Sequence, residues 1–327
     1  VSLSSPRSRR ARFGRAALAA LTAGLLVAAG GTPSSASTVD EAGIAAPPPE
    51  APVSGRLVPG ARGAEARAVT ESTVGVQFRK LSESRDAARD NGPARVLPPW
   101  TGEKHSGWGA FPYSASEGAQ ATHTVNPDIS MSPDNPDVVY APTLDPSGKT
   151  CIEVTTYYWK YGNAVAAWDW CAASPGFAAI IPIDTYFVNT YTTTFQGRPA
   201  YTVQDVQTNP VTNSWTAYLY NYTTSSWDTV FTSANTSKLT ETHGGWDMFE
   251  VYTNYNPDTN EGYYCTETVG AEFHASNIKI RTGGTWNTLT TANSSVTPPS
   301  SVSNADFGCS GLTFSLPTAN SYWKVTN

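Results

Sequence analysis

From residue 100 onward, apolar and polar positions alternate in short runs, and no run holds a 3.6-residue period long enough for a long helix. Period-2 alternation places successive side chains on opposite faces of a strand. It recurs at residues 151–159, 163–171, 180–191, 200–206, 214–222, 246–254, 262–267, 272–281 and 322–325. Turn signals separate many of these runs, among them Gln196-Gly197-Arg198-Pro199, Asn209-Pro210 and Asn256-Pro257-Asp258. Only 228–239 reads as a short helix. Many short strands with regular turns predict an all-β chain, an antiparallel β-sandwich of jelly-roll type.

Composition divides the 327 residues near residue 98. Of 37 aromatic residues, 35 lie between Trp100 and Asn327, and only Phe13 and Phe78 precede them. The first part therefore lacks the apolar material for a core of its own. Arg7, Arg9, Arg10, Arg12 and Arg15 followed by the apolar run 16–30 and the small residues Ser34-Ser35-Ala36 predict a secretory signal over 1–36; Arg9-Arg10 also fits a twin-arginine signal. Residues 37–98, centred on Pro47-Pro48-Pro49 and with a helical patch at 77–90, are a linker or a pro-segment. The domain itself spans 99–327. Residues 101–327 carry 8 basic against 19 acidic side chains, which argues against a nucleic-acid partner. No later run is long enough to span a membrane once the signal is removed, so a secreted, extracellular protein is expected. Nothing in the sequence indicates an oligomeric state.

An exported chain with four cysteines is expected to form disulfides. Lys160-Tyr161-Gly162 predicts a three-residue hairpin loop with glycine in its left-handed position. That register sets Cys151 opposite Cys171, leaving Cys265 for Cys309, and sets Glu153 opposite Asp169. One face of the hairpin then carries Ile152, Val154, Trp168 and Trp170 toward the core; the other carries Glu153, Thr155, Tyr157, Val165 and Asp169. Facing carboxylates repel; they share a proton or a cation, or the face is wet. A second carboxylate, Glu250, shares a strand face with Trp246, Met248 and Tyr252, where desolvation raises a carboxyl pKa.

The order of these signals resembles the neprosin-type prolyl endopeptidases and, more distantly, the fungal-type glutamic peptidases. The motifs are Cys151-Ile152-Glu153-Val154, Cys171 before Gly176-Phe177, Asn213-Ser214-Trp215, Trp227-Asp228-Thr229-Val230-Phe231, and Gly244-Gly245 before a strand bearing Glu250. The resemblance implies a secreted β-sandwich with two catalytic side chains on its concave sheet, acting in acid without metal or cofactor. Glu153 would deprotonate a water and Glu250 would polarise the carbonyl and protonate the leaving amine, or the two roles would be reversed, and Asp169 would tune Glu153. Both glutamates should project from neighbouring strands into one groove, their side-chain oxygens close enough to share a water, with Trp246 and Tyr252 in its wall, suited to an extended or Pro-rich peptide.

There is no HExxH, phosphate loop or GxSxG turn, and His105, His123, His243 and His274 lack ligand spacing. Asp128, Asp134, Asn135 and Asp137 suit either calcium or ordinary turns. The rival to a peptidase is a secreted carbohydrate-binding module or a polysaccharide-active enzyme, since aromatic rows stack on sugars and paired carboxylates also cleave glycosides.

Overall fold

The alternating runs build two sheets that stack face to face, as seen in a computed structural model that describes residues 46–71, 100–237 and 244–327. These residues belong to one compact unit, Thr38–Asn327. The signal segment, the 77–90 patch and His243 lie outside the described residues.

The ten-stranded sheet runs β1 (Val53–Leu57), β12 (Ser226–Ser233), β11 (Ser214–Asn221), β10 (Arg198–Asn209), β4 (Gly118–Thr124), β16 (Glu272–Thr282), β20 (Tyr322–Thr326) and β19 (Thr313–Thr318), with β9 (Thr192–Phe195) on β10 and β17 (Thr285–Thr288) on β16. The eight-stranded sheet runs β18 (Ser294–Ser295), β3 (Lys104–Pro112), β13 (Trp246–Thr253), β5 (Val138–Asp145), β6 (Ile152–Trp159), β7 (Gly162–Asp169), β8 (Gly176–Pro182) and β2 (Ala61–Arg62). Among the described residues there are also a small pair, β14 (Tyr255–Asn256) and β15 (Glu261–Gly262), four α-helices, α1 (Ala64–Glu71), α2 (Thr185–Tyr191), α3 (Tyr263–Glu267) and α4 (Asn304–Phe307), and a 3-10 turn at Pro299–Ser301. All strand pairs are antiparallel except β1 with β12. The predicted antiparallel sandwich is the observed fold.

The core lies between the sheets. Val139, Val154, Val165, Phe249 and Val251 pack toward Ala121, Val203, Ala217, Leu219 and Phe273 in one buried cluster. Each fully buried side chain of this size contributes roughly 1.5–3 kcal/mol. Because Ile152, Val154, Phe249 and Val251 face inward, Glu153 and Glu250 face outward on the eight-stranded sheet.

Three runs depart from expectation. Residues 180–191 do not form one strand: β8 ends at Pro182, and the Asp184 side chain caps α2 by accepting from Phe187 N at 2.8 Å. Residues 262–267 turn into α3, whose Tyr264 N is taken up by the buried Asp137 carboxylate at 2.8 Å. The helix read at 228–239 begins instead as strand β12, which ends at Ser233, since Thr229, Val230 and Thr232 are β-branched and Val230 joins the core; residues 238 and 239 lie outside the described residues.

The β6–β7 hairpin also differs by one residue. Trp159 pairs with Gly162 across a two-residue Lys160-Tyr161 turn, so Glu153 faces Trp168 and Asp169 faces Ile152. A one-residue slip moves every side chain on β7 to the other face. Trp168 and Trp170 thus share the outer face with Glu153. Val165 joins the inner core, and Asp169 turns to the ten-stranded sheet, accepting from Ser233 Oγ at 2.7 Å. The disulfides are nonetheless Cys151–Cys171 and Cys265–Cys309.

Residues 46–71 form a strap lying on the sandwich. β1 extends the ten-stranded sheet, β2 extends the eight-stranded one, and α1 places Ala66 in an outer-face cluster.

Candidate active site

Cross-strand partners in an antiparallel sheet share a face, so the register of the eight-stranded sheet reads as rows. One row brings Trp246 opposite Asp145, and Glu153 opposite Trp168, which in turn faces Phe177. Leu144 pairs with Val154, and the same register carried one residue on sets Asp145 across from Glu153. The next row, two residues along, is Gly109, Met248, Thr143, Thr155 and Ala166, a floor of mostly small side chains. The third row is Gly107, Glu250, Tyr140, Tyr157 and Ala164. The fourth begins with His105 and Tyr252.

Glu153 and Glu250 are both fully buried. Glu153 Oε1 accepts from Thr143 Oγ1 at 2.7 Å, and Oε2 accepts from Trp170 Nε1 at 3.1 Å. Glu250 Oε1 accepts from the Tyr252 hydroxyl at 2.6 Å and lies 2.5 Å from His105 Nε2. The His105 ring stacks on Tyr252, with centroids 4.3 Å apart and planes 5° from parallel. Around the carboxylates stand Trp168 and Trp170, stacked at 5.4 Å, with Phe177 4.4 Å from Trp168 and Tyr140 edge-on to Tyr252. Burial pushes the Tyr157 hydroxyl up to about 12, so it stays a hydrogen-bond donor.

The predicted site residues sort accordingly. Glu153 and Glu250 share a face but not a strand pair, because β5 runs between β13 and β6. Their rows lie four residues apart, roughly 13 Å along the strands, too far for the water expected to bridge them. Tyr252 belongs with Glu250, as expected from their shared face. Trp246 stands instead in the row of Asp145 and Glu153. Asp169 is not the neighbour of Glu153, because the hairpin register turns it to the other face. The nearest carboxyl partner of Glu153 by register is Asp145, which is 1% exposed.

Two residues of this face, Asp145 and His105, are not among the expected site residues. Asp145 ends the run Val138–Asp145, whose alternation Pro142 interrupts: the β5–β6 register slips between Tyr140 and Thr143. His105 opens a strand containing Gly107 and Gly109, and glycines inside a strand signal close approach over the sheet.

The other polar candidates are structural. His123 lies buried between the sheets, 2.8 Å from Asp247 Oδ2, and His274 lies 3.0 Å from Glu272. Asp137 accepts from Thr253 Oγ1, Asn254 N and Tyr264 N at 2.7–2.8 Å, which organises turns. Among the described residues, no three His, Cys, Asp or Glu side chains are grouped to hold a metal ion.

Fold and site together define an antiparallel β-sandwich with carboxyl groups buried in an aromatic outer face. No family model and no curated protein matches the chain. Among solved structures it is similar to scytalido-glutamic peptidase bound to a peptide-based transition-state analogue, at 13% identity and TM-score 0.35, covering 68% of this chain and 98% of that one. It is similar also to SCP-B, a member of the eqolisin family of peptidases, in complex with the tripeptide Ala-Ile-His, at 12% identity, TM-score 0.35 and the same coverage.

Proposed function

We propose that this protein is an exported, acid-active endopeptidase of extended, Pro-rich chains, in which the carboxyl pair Asp145 and Glu153 activates water. The observation that supports it is the β5–β6 register, which, carried one residue past Leu144–Val154, brings two buried carboxyl groups onto adjacent strands beside Trp246 and Trp168. Opposed residues have Cβ atoms ~4.5–5.5 Å apart. Cβ atoms that close let the two carboxyl groups approach each other, and neighbouring carboxyl groups do not both ionise readily, so in this scheme the pair holds one proton in acid. Hydrogen bonds from Thr143 and Trp170 favour the charged form of Glu153, and the scheme puts the shared proton on Asp145.

In the proposed reaction Glu153 takes a proton from water, and the oxygen bonds to the scissile carbonyl carbon. The C–N bond then breaks as Asp145 gives its proton to the departing nitrogen. A carboxylic acid and an amine leave, and the pair still holds one proton, now on Glu153. This arrangement replaces the acid role that the family resemblance gives Glu250. Across the floor, Glu250 receives main-chain N–H groups of the substrate, held for that purpose by Tyr252 and His105. An extended chain lies along the floor of small residues, and its prolines rest on the aromatic wall.

Residues 46–71 serve as a removable pro-segment in this scheme, because Ala66 sits among Trp168, Trp170 and Phe177 where substrate would lie. Two disulfides, and the absence among the described residues of any helix able to cross a membrane, are compatible with an extracellular protein.

Digestion of a Pro-rich protein from about pH 3 to about pH 6, with circular dichroism as a folding control, tests the proposal. Glu153→Gln and Asp145→Asn should each lower kcat by ~10²–10⁴-fold, whereas Glu250→Gln should act mainly on KM. Undiminished turnover in both the Glu153 and Asp145 variants would remove the pair. Wild-type protein that, with its strap cut, cleaves nothing yet is retained on a polysaccharide gel would establish a binding module instead.

A further inference from the structure

The strap also crosses the outer face of the ten-stranded sheet, on the side of the molecule away from the carboxylates. There the Pro47 carbonyl accepts from Gln120 Nε2 at 3.5 Å, and the Pro49 carbonyl accepts from Gln204 Nε2 at 3.1 Å. Gln204 Nε2 donates as well to Gln120 Oε1 at 3.1 Å, so the two amides hold each other in place. Both are buried, Gln120 fully and Gln204 at 6% exposure. A proline has no N–H, so at its prolines an extended main chain presents acceptors only. A receptor for such a chain must supply donors, and two interlocked amides aimed at carbonyls two residues apart do so.

The contact continues along the strap. The Pro52 carbonyl accepts from Trp227 N at 2.9 Å, after which β1 runs parallel to β12. Beside it Val206, Tyr218, Tyr220 and Trp227 form an apolar cluster against which Ala51 packs, with Tyr220 edge-on to Trp227 at 5.2 Å. The buried Trp227 indole N–H has no acceptor among the described residues, a further donor in the wall of the seat. Aromatic rings together with side-chain donors are how polyproline segments are held.

We infer that this face is a docking site for Pro-rich extended peptides, and that the chain's own residues 46–58 are its resident ligand. The inference does not depend on the chemistry proposed for Asp145 and Glu153, because binding is read without turnover. A Pro-rich partner displaces the strap here and is then held at a distance from the carboxylates.

The test uses the full chain with residues 46–58 replaced by a Gly-Ser stretch of equal length, and a labelled synthetic peptide of residues 46–58 followed by fluorescence anisotropy. The opened protein should bind the peptide at least ~10-fold more tightly than wild type, whose face is already occupied. In the opened protein Gln120→Ala and Gln204→Ala should each weaken binding about 5–10-fold. A peptide with its prolines replaced by alanine should bind no better to the opened protein than to wild type. Absence of binding by a folded opened protein, or binding indifferent to both glutamines, overturns the site. If the opened protein does not fold, hydrogen exchange in the otherwise native chain decides. Gln120→Ala and Gln204→Ala should speed exchange of the β1 amides by about 5–10-fold each, and unchanged exchange rejects the inference.

Discussion

Asp205 shows how far the fold sets the state of single side chains. It lies fully buried on β10, and burial pushes its carboxyl well above the usual range. A carboxyl raised in the folded state adds stability at low pH, which is lost as pH rises above its unfolded value near 4. Asp205→Asn should therefore melt higher than wild type at pH 7, with the gain shrinking toward about pH 4; equal melting temperatures at neutral pH would contradict this. His274 has the opposite sign. Burial lowers it to about 4 from 6.5, so the unfolded chain takes up the proton first and stability falls as pH drops from about 6.5 to about 4. Glu272, held at about 2 chiefly by Lys324, adds stability above its ordinary 4.5 that is lost as pH falls toward 2. Thermal melts of His274→Gln should show a flatter decline between about pH 6.5 and pH 4 than wild type, and an unchanged slope would place the acid sensitivity elsewhere. At this scale the sequence discloses Glu153 and Glu250, because alternation alone puts them on a face. It conceals Asp145 and His105, whose importance depends on which strands become neighbours.

At the scale of elements, the β6–β7 hairpin shows what a sequence conveys and what it withholds. Alternation and the turn residues locate both strands and the Cys151–Cys171 bond, since the cysteines lie just past the paired ends, with Trp170 N donating to Cys151 O at 2.7 Å. The register depends on whether Gly162 closes a three-residue loop or opens β7. With φ of +122°, it opens the strand in a conformation that L side chains rarely adopt. That single choice moves Trp168 and Trp170 from the core to the outer face and removes Asp169 from the site. Gly162→Ala should cost on the order of 1 kcal/mol or more. Removing the disulfide with Cys151→Ala and Cys171→Ala should cost about 3 kcal/mol for a loop of this size. Denaturant midpoints at unchanged slope check both; a disulfide-free protein as stable as wild type would show that hydrogen bonding and packing alone hold the hairpin. The helices α2 and α3 escaped detection because short aromatic runs satisfy either period, and a cap at Asp184 or an acceptor at Asp137 decides between them.

Across the whole molecule, composition reveals a domain rich in aromatics preceded by a Pro-rich segment, but not that the segment packs on both sheets. Its 46–52 part is seated on glutamine amides and the Trp227 main chain, and its helix places Ala66 in the aromatic wall beside Glu153. The full chain should therefore be latent. The direct measurement inserts a specific protease recognition sequence between residues 72 and 99 and compares cleavage of a Pro-rich peptide in acid before and after cutting, in wild type and in Glu153→Gln. Activity should appear only after the cut and the departure of residues 46–71, and the cut Glu153→Gln protein should stay lower by ~10²–10⁴-fold. An intact chain already as active as the cut one, or a cut Glu153→Gln protein as fast as cut wild type, would contradict it.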